Sequence, residues 1–101
     1  PGMILSNEPG YYRAGEYGIR LENLVIVEKR DIKGGEREMY GFETITLAPF
    51  DLASIDPKLL SETEIDWLDA YHARVRKTLS PLADPKTRAW LRGATRKLLS
   101  D

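Results

Sequence analysis

The chain contains no cysteine and only one histidine, His72, among its 101 residues. Without cysteine it has neither a disulfide framework nor a thiolate metal site. An excess charge of either sign is also missing: 15 Lys and Arg stand against 16 Asp and Glu, for a net charge of −1. That balance argues against the electrostatic footprint of a nucleic-acid binder. The longest wholly aliphatic stretch, residues 24–27, is far too short to span a bilayer, and no helical pattern pairs a strongly basic face with a bulky apolar one. No signal peptide is recognisable, so a cytoplasmic location is the expectation. At this length the chain is one small domain at most, burying somewhat over ~60% of its unfolded surface.

What is present concentrates in residues 1–27, PGMILSNEPGYYRAGEYGIRLENLVIV. Residues 3–8 form a short, largely apolar run that stops at Pro9-Gly10, a pair that favours a turn. Glu8 therefore belongs at a strand end. Residues 17–29 read as one longer strand, with Ile19, Leu21, Val25 and Val27 on one face and Arg20, Glu22, Leu24 and Ile26 on the other. If the two runs pair antiparallel across residues 9–16, the carboxylates of Glu8 and Glu22 lie close together on one face. Such a pair repels, and a pair of hard cations such as Mn2+ or Mg2+ is the strongest compensation available. Arg20, two residues before Glu22, is placed to hydrogen-bond a ligand carboxylate. The pattern alone leaves a second reading open, in which both glutamates are solvated residues on an open sheet face.

Downstream, residues 30–38 form a charged tip with Gly34-Gly35 as the turn of a hairpin, and residues 40–48 resume strand chemistry until Pro49 ends the ladder. Glu43 reads as a rim residue and takes no ligand role. Asp56 before Pro57 suggests one helical turn through Leu60. Ser61 with Glu64 fits a capping box, opening a helix whose stripe is Ile65, Leu68, His72, Val75 and Leu79, expected to pack on the sheet. His72 on that stripe reads as a packed residue with satisfied ring nitrogens, not as a proton shuttle, and Trp67 and Tyr71 as packing aromatics. Pro81 closes this helix. Asp84-Pro85 opens another, carrying Trp90, Leu91, Ala94 and Leu98 beside a basic face of Lys86, Arg88, Arg92, Arg96 and Lys97 that reads as solvated. The expected fold class is α+β: a small antiparallel sheet of about three strands in residues 1–50, then two or three helices in residues 51–101.

Three words are more specific than any spacing: NEPGYY at residues 7–12, GIRLEN at 18–23 and FETITLAPF at 42–50, with WLDAYH at 67–72. Together they resemble the C-terminal part of the catalytic domain of Xaa-Pro aminopeptidases (aminopeptidase P), in the pita-bread metallopeptidase superfamily that also holds prolidase and creatinase. The resemblance implies a dinuclear metal hydrolase that removes the residue before a proline, with two divalent ions, Mn2+ by expectation. It makes Glu8 and Glu22 metal ligands, Glu8 also a candidate general base, Arg20 a support for the site and Tyr12 a residue lining it. The family pattern further needs two aspartates and a histidine N-terminal to the glutamates. This chain has none in those words, and Asp31 and His72 are not substitutes. The expectation is thus a fragment of the pita-bread fold, inactive alone, whose intact form takes a proline-containing peptide, binds neither nucleic acid nor membrane, and forms a homodimer. Alternatives are a prolidase or creatinase-like hydrolase, which GYY and WLDAYH disfavour, and a non-catalytic pita-bread binding or dimerisation module, which retention of both glutamates and Arg20 disfavours.

Overall fold

A computed structural model describes residues 1–31, 33–35 and 37–99. Ile32 and Glu36 of the charged tip, and Ser100 and Asp101 of the helical half, lie outside the described residues. The chain divides into two compact units, Pro1–Thr46 and Leu47–Asp101.

The first unit is all antiparallel strand: β1 (Ile4–Asn7), β2 (Gly10–Arg13), β3 (Tyr17–Arg20), β4 (Asn23–Arg30) and β5 (Met39–Thr44). They form a three-stranded sheet in the order β1-β4-β5 and a two-stranded β2-β3 ribbon. The expected single strand over residues 17–29 is in fact two, β3 and β4, parted at Leu21 and Glu22. Residues 9–16 are likewise not a plain connection, because they hold β2. Pro9 explains both. It has no N–H, so it offers the Leu21 carbonyl no donor, and only one bond crosses there, from the Leu21 amide to the Pro9 carbonyl at 3.1 Å.

The register survives this break. Ile4 pairs with Ile26 and Asn7 with Asn23 on one side, while Gly10 pairs with Arg20 and Arg13 with Tyr17 on the other. Counting inward from either ladder sets Glu8 opposite Glu22. Strand β4, bonded on both sides, is the best covered: Asn23 and Val25 are buried and Leu24 between them is exposed, the alternation of a half-buried strand. Strand β5 ends at Thr44, earlier than the expected residue 48, but contact with β4 continues as Ile45 donates to the Leu24 carbonyl at 2.9 Å. The Leu24 amide then turns to the Thr46 hydroxyl at 2.7 Å, a side chain replacing the next backbone acceptor. Gly34, with φ of +84°, sits in the β4–β5 loop as the turn chemistry demands.

The second unit is helical, and side-chain caps set its boundaries. Asp51 caps a turn at Leu52–Ser54, and Asp56 with Pro57 opens another at Pro57–Leu59. Helix α1 (Glu62–Leu79) begins in a reciprocal capping box: Ser61 Oγ accepts from the Glu64 amide at 3.1 Å, and Glu64 Oε1 accepts from the Ser61 amide at 2.8 Å. A turn at Ser80–Leu82 carries Pro81, and α2 (Pro85–Ala94) starts where Asp84 Oδ1 accepts from the Thr87 amide at 2.7 Å. The α1 stripe is buried at Leu68, His72 and Val75, and its core partners are Leu91 of α2 with Leu47 and Phe50. Thr95, unmarked in the sequence pattern, is also buried. It accepts from Arg76 Nη1 at 3.1 Å and donates to the Leu91 carbonyl at 2.6 Å, tying α1 to the end of α2. Among the described residues no helix is long and apolar enough to cross a membrane.

Candidate metal centre

The break in the hairpin is what builds the site. Across a regular ladder, side chains of opposed residues stand about 4.5–5.5 Å apart at Cβ on one face. Glu8 and Glu22 face each other at the break in that relation, and the Glu22 side chain acts on the Glu8 carboxyl by hydrogen bonding and charge. This bond and the negative charge of Glu22 hold the Glu8 carboxyl above its ordinary value, while the Arg20 guanidinium draws it back down. Both glutamates are exposed, so the arrangement is a crowded acidic pair on an open face and not a buried ion pair.

Alternation along the two strands puts Glu8, Gly10 and Tyr12 on the same face as Glu22, Arg20 and Gly18. The structure thus brings together all four residues singled out by the sequence: Glu8, Glu22, Arg20 and Tyr12. It corrects their setting, since Glu22 lies in the break and not within a strand. The two glycines between them were not singled out, although glycine inside a strand pattern is itself a sign of close approach by another group.

The other titratable candidates separate from this face. Glu43 is exposed on β5 opposite Ile26. His72 has no exposed surface, and its Nε2 accepts from the Phe50 amide at 3.0 Å. Only one of its ring nitrogens is satisfied, because Nδ1 is buried without a partner. A side chain so enclosed cannot shuttle protons to a substrate.

Two opposed carboxylates, oxygen-only donors on one face, fit a hard divalent cation. They cannot complete its shell. Among the described residues no group of three or more His, Cys, Asp or Glu side chains is placed to hold a metal ion, so this chain supplies only part of any coordination sphere.

Comparison with known proteins takes the site further. Residues 38–98 match the family described as the C-terminal region of peptidase_M24, and residues 1–29 match metallopeptidase family M24. The chain belongs to peptidase family M24. Within that family it is 48% identical over 99 residues to the protein named "Probable Xaa-Pro aminopeptidase P" of Arthroderma benhamiae, covering 94% of this chain and 14% of that one. To aminopeptidase P2 of Arabidopsis thaliana it is 45% identical over 100 residues, covering 96% and 14%. The crystal structure of the X-prolyl aminopeptidase of Caenorhabditis elegans, a cytosolic enzyme with a di-nuclear active site, superposes with a TM-score of 0.80 at 34% identity. It covers 93% of this chain and 16% of that chain. The M24 chain described here spans about one-seventh of the length of the curated relatives it matches.

Proposed function

We propose that this chain is part of the catalytic domain of a dinuclear, metal-dependent Xaa-Pro aminopeptidase, contributing two of its metal ligands, Glu8 and Glu22. The observation that carries the reading is the opposed pair itself: Glu8 and Glu22 face each other in the register at a break in the hairpin, with Arg20 on the same face. Glu8 and Glu22 would hold two divalent ions, Mn2+ in this reading, together with residues from outside the chain. The chemistry such ions supply when bound is activation of a water and polarisation of the scissile carbonyl.

The chain's own residues have separable tasks. Glu8, opposite Glu22 in the register, would be the group that takes the proton of the attacking water. Arg20 limits the repulsion between the two acids and can fix one carboxylate through its planar fork. Tyr12 offers a neutral hydroxyl on the same face for the substrate or for a ligand carboxylate.

The same reading gives a proline-containing peptide as the substrate, the cytoplasm as the location and a second copy of the parent as the partner. Nucleic acid and membrane have no part in it.

The test is a chimera in which these 101 residues replace the matched segment of the C. elegans enzyme. Hydrolysis of a proline-containing dipeptide that depends on Mn2+ and on Glu8 supports the reading. A well-folded chimera that stays inactive with metal added refutes it.

A further inference from the structure

Gly10 and Gly18 lie inside β2 and β3, where glycine is a poor strand former. Their backbones do not require it. The glycines with positive φ are Gly2, Gly15 and Gly34, so Gly10 and Gly18 adopt conformations open to any residue. What requires glycine is space. A Cβ at Gly18 would stand 2.7 Å from Cδ1 and 3.1 Å from Cε1 of Tyr12, and a Cβ at Gly10 would stand 3.0 Å from the Tyr12 hydroxyl. The same point above Gly10 is 2.9 Å from Cγ of Arg20 and 2.9 Å from the Ile19 carbonyl oxygen.

The Tyr12 ring therefore runs along the hairpin from above Gly18 towards Gly10, and its hydroxyl and the Arg20 side chain both crowd the space above Gly10. Tyr12 remains 63% exposed, so burial does not hold it in this pose. Tyr11 and Tyr17 pack against each other on the opposite face, with ring centroids 6.1 Å apart, and are exposed to a similar degree.

We propose that Gly10 and Gly18 are positioning residues: together they form a floor without side chains that lays Tyr12 along the hairpin and delivers its hydroxyl beside Arg20, on the face that carries Glu8 and Glu22. The pose itself follows from the contacts above. Its use rests on the proposed metal site. A methyl group at Gly18 meets only the Tyr12 ring at close range, so it lifts the ring off the strand and swings the hydroxyl away from Arg20 while the β2-β3 pairing persists; at Gly10 it also meets the Ile19 carbonyl oxygen, so the backbone there shifts as well.

Two NMR measurements on the 101-residue chain separate these parts. The first uses no metal. Tyr12 ring protons should show through-space contacts to the α-protons of Gly18 and Gly10 and to the Arg20 side chain, and the Gly18 α-protons should be shifted upfield by the ring. Tyr12→Phe should keep the contacts, since the ring and the floor make them. Gly18→Ala should lose the Gly10 and Arg20 contacts while Tyr11–Ile19 backbone contacts remain, and Gly10→Ala should lose the contact to Arg20. Unchanged ring contacts in both alanine variants overturn the proposal, as does collapse of the Tyr11–Ile19 pairing in both, which would make the glycines requirements of the hairpin alone.

The second measurement adds Mn2+ as a paramagnetic probe. Tyr12 ring lines should broaden before those of Tyr11 and Tyr17, and Gly18→Ala should abolish that order while the Glu8 and Glu22 side-chain lines still broaden. Equal broadening of the three tyrosines in the unmodified chain, with Glu8 and Glu22 affected, overturns the delivery of the hydroxyl to the acidic face. If the Glu8 and Glu22 lines do not respond to Mn2+, the use assigned to the pose fails, while the metal reading itself is decided in the chimera, where the remaining ligands are present. The first measurement still decides the pose.

Discussion

The backbone amide of Phe50 donates to Nε2 of His72 at 3.0 Å, and this one bond assigns the hydrogen of the neutral ring to Nδ1. The next residue, Tyr71, donates its hydroxyl to the Ala48 carbonyl at 3.0 Å and accepts from the Ala48 amide at 3.3 Å. Two adjacent side chains of α1 thus fasten the segment at residues 48–50, within the helical unit. Burial pushes the His72 imidazole below its ordinary 6.5, with Asp69 pulling it up and Arg76 pushing it further down.

The sign of the pH effect follows from that shift. The unfolded chain takes up a proton near 6.5 and the folded chain resists until lower pH, so the contribution of His72 is complete above 6.5 and is lost as pH falls through the window below it. Thermal denaturation should show a midpoint that falls as pH drops below 6.5. His72→Leu should flatten that slope while lowering stability at neutral pH by about 1–3 kcal/mol, because the Phe50 amide loses its acceptor. A slope equally steep in the variant would assign it to other groups. Asp84, whose carboxyl is held low by the Thr87 backbone amide, acts in a separate window: its contribution is present above 3.8 and is lost only below it.

Ser61→Ala removes one half of the capping box at the start of α1. The Glu64 amide then has only water, and stability should fall by about 1 kcal/mol. In a domain of this size that lowers the melting temperature by about 4–8 °C, readable by circular dichroism. No change would mean that packing of the α1 stripe alone fixes the helix start.

Arg20→Lys keeps the positive charge but loses the planar fork. In the chimera both ions should stay bound while turnover falls by about 10–100-fold, the usual effect of disturbing a group that orients a metal ligand. Metal content measured beside kinetics decides. Loss of an ion would make Arg20 a structural requirement of the site, and an unchanged rate would remove it from the account.

The isolated chain should self-associate. Ile4, Leu5 and Leu24 are exposed, and β1 and β5 each present an open ladder edge among the described residues. Light scattering over a concentration series should show a dimer forming toward high micromolar concentration. A strictly monomeric, cooperatively folding chain would show that these edges do not pair.

Much of this was legible before the structure, and the exceptions have physical causes. The helical half was readable because caps are local chemistry: Ser61 with Glu64, Asp56 with Pro57 and Asp84 with Pro85 each open an element where side-chain type predicts one. The pairing of residues 3–8 with the later strand was readable from apolar alternation. What escaped was β2, because GYYR between Pro9 and Gly15 carries turn signals at both ends and too few residues to show a period. The break at Leu21 and Glu22 escaped for a different reason. It is imposed across the ladder by Pro9, twelve residues earlier than Leu21, and no local pattern in residues 17–29 announces it. Glu8 and Glu22 were identified from the wording around them; their opposition at a break, not within a strand, needed the register. His72 was read as packed, correctly, but its unpartnered Nδ1 depends on neighbours the sequence does not bring together.

The central claim is that Glu8 and Glu22 hold metal ions, and metal analysis of the chimera beside its rate tests it most directly. With both glutamates present, two divalent ions per chain and hydrolysis of a proline-containing dipeptide are expected. Glu22→Ala should lose at least one ion and all measurable turnover while the fold, followed by circular dichroism, is retained. A Glu22→Ala protein that keeps both ions and a near-normal rate would contradict the account.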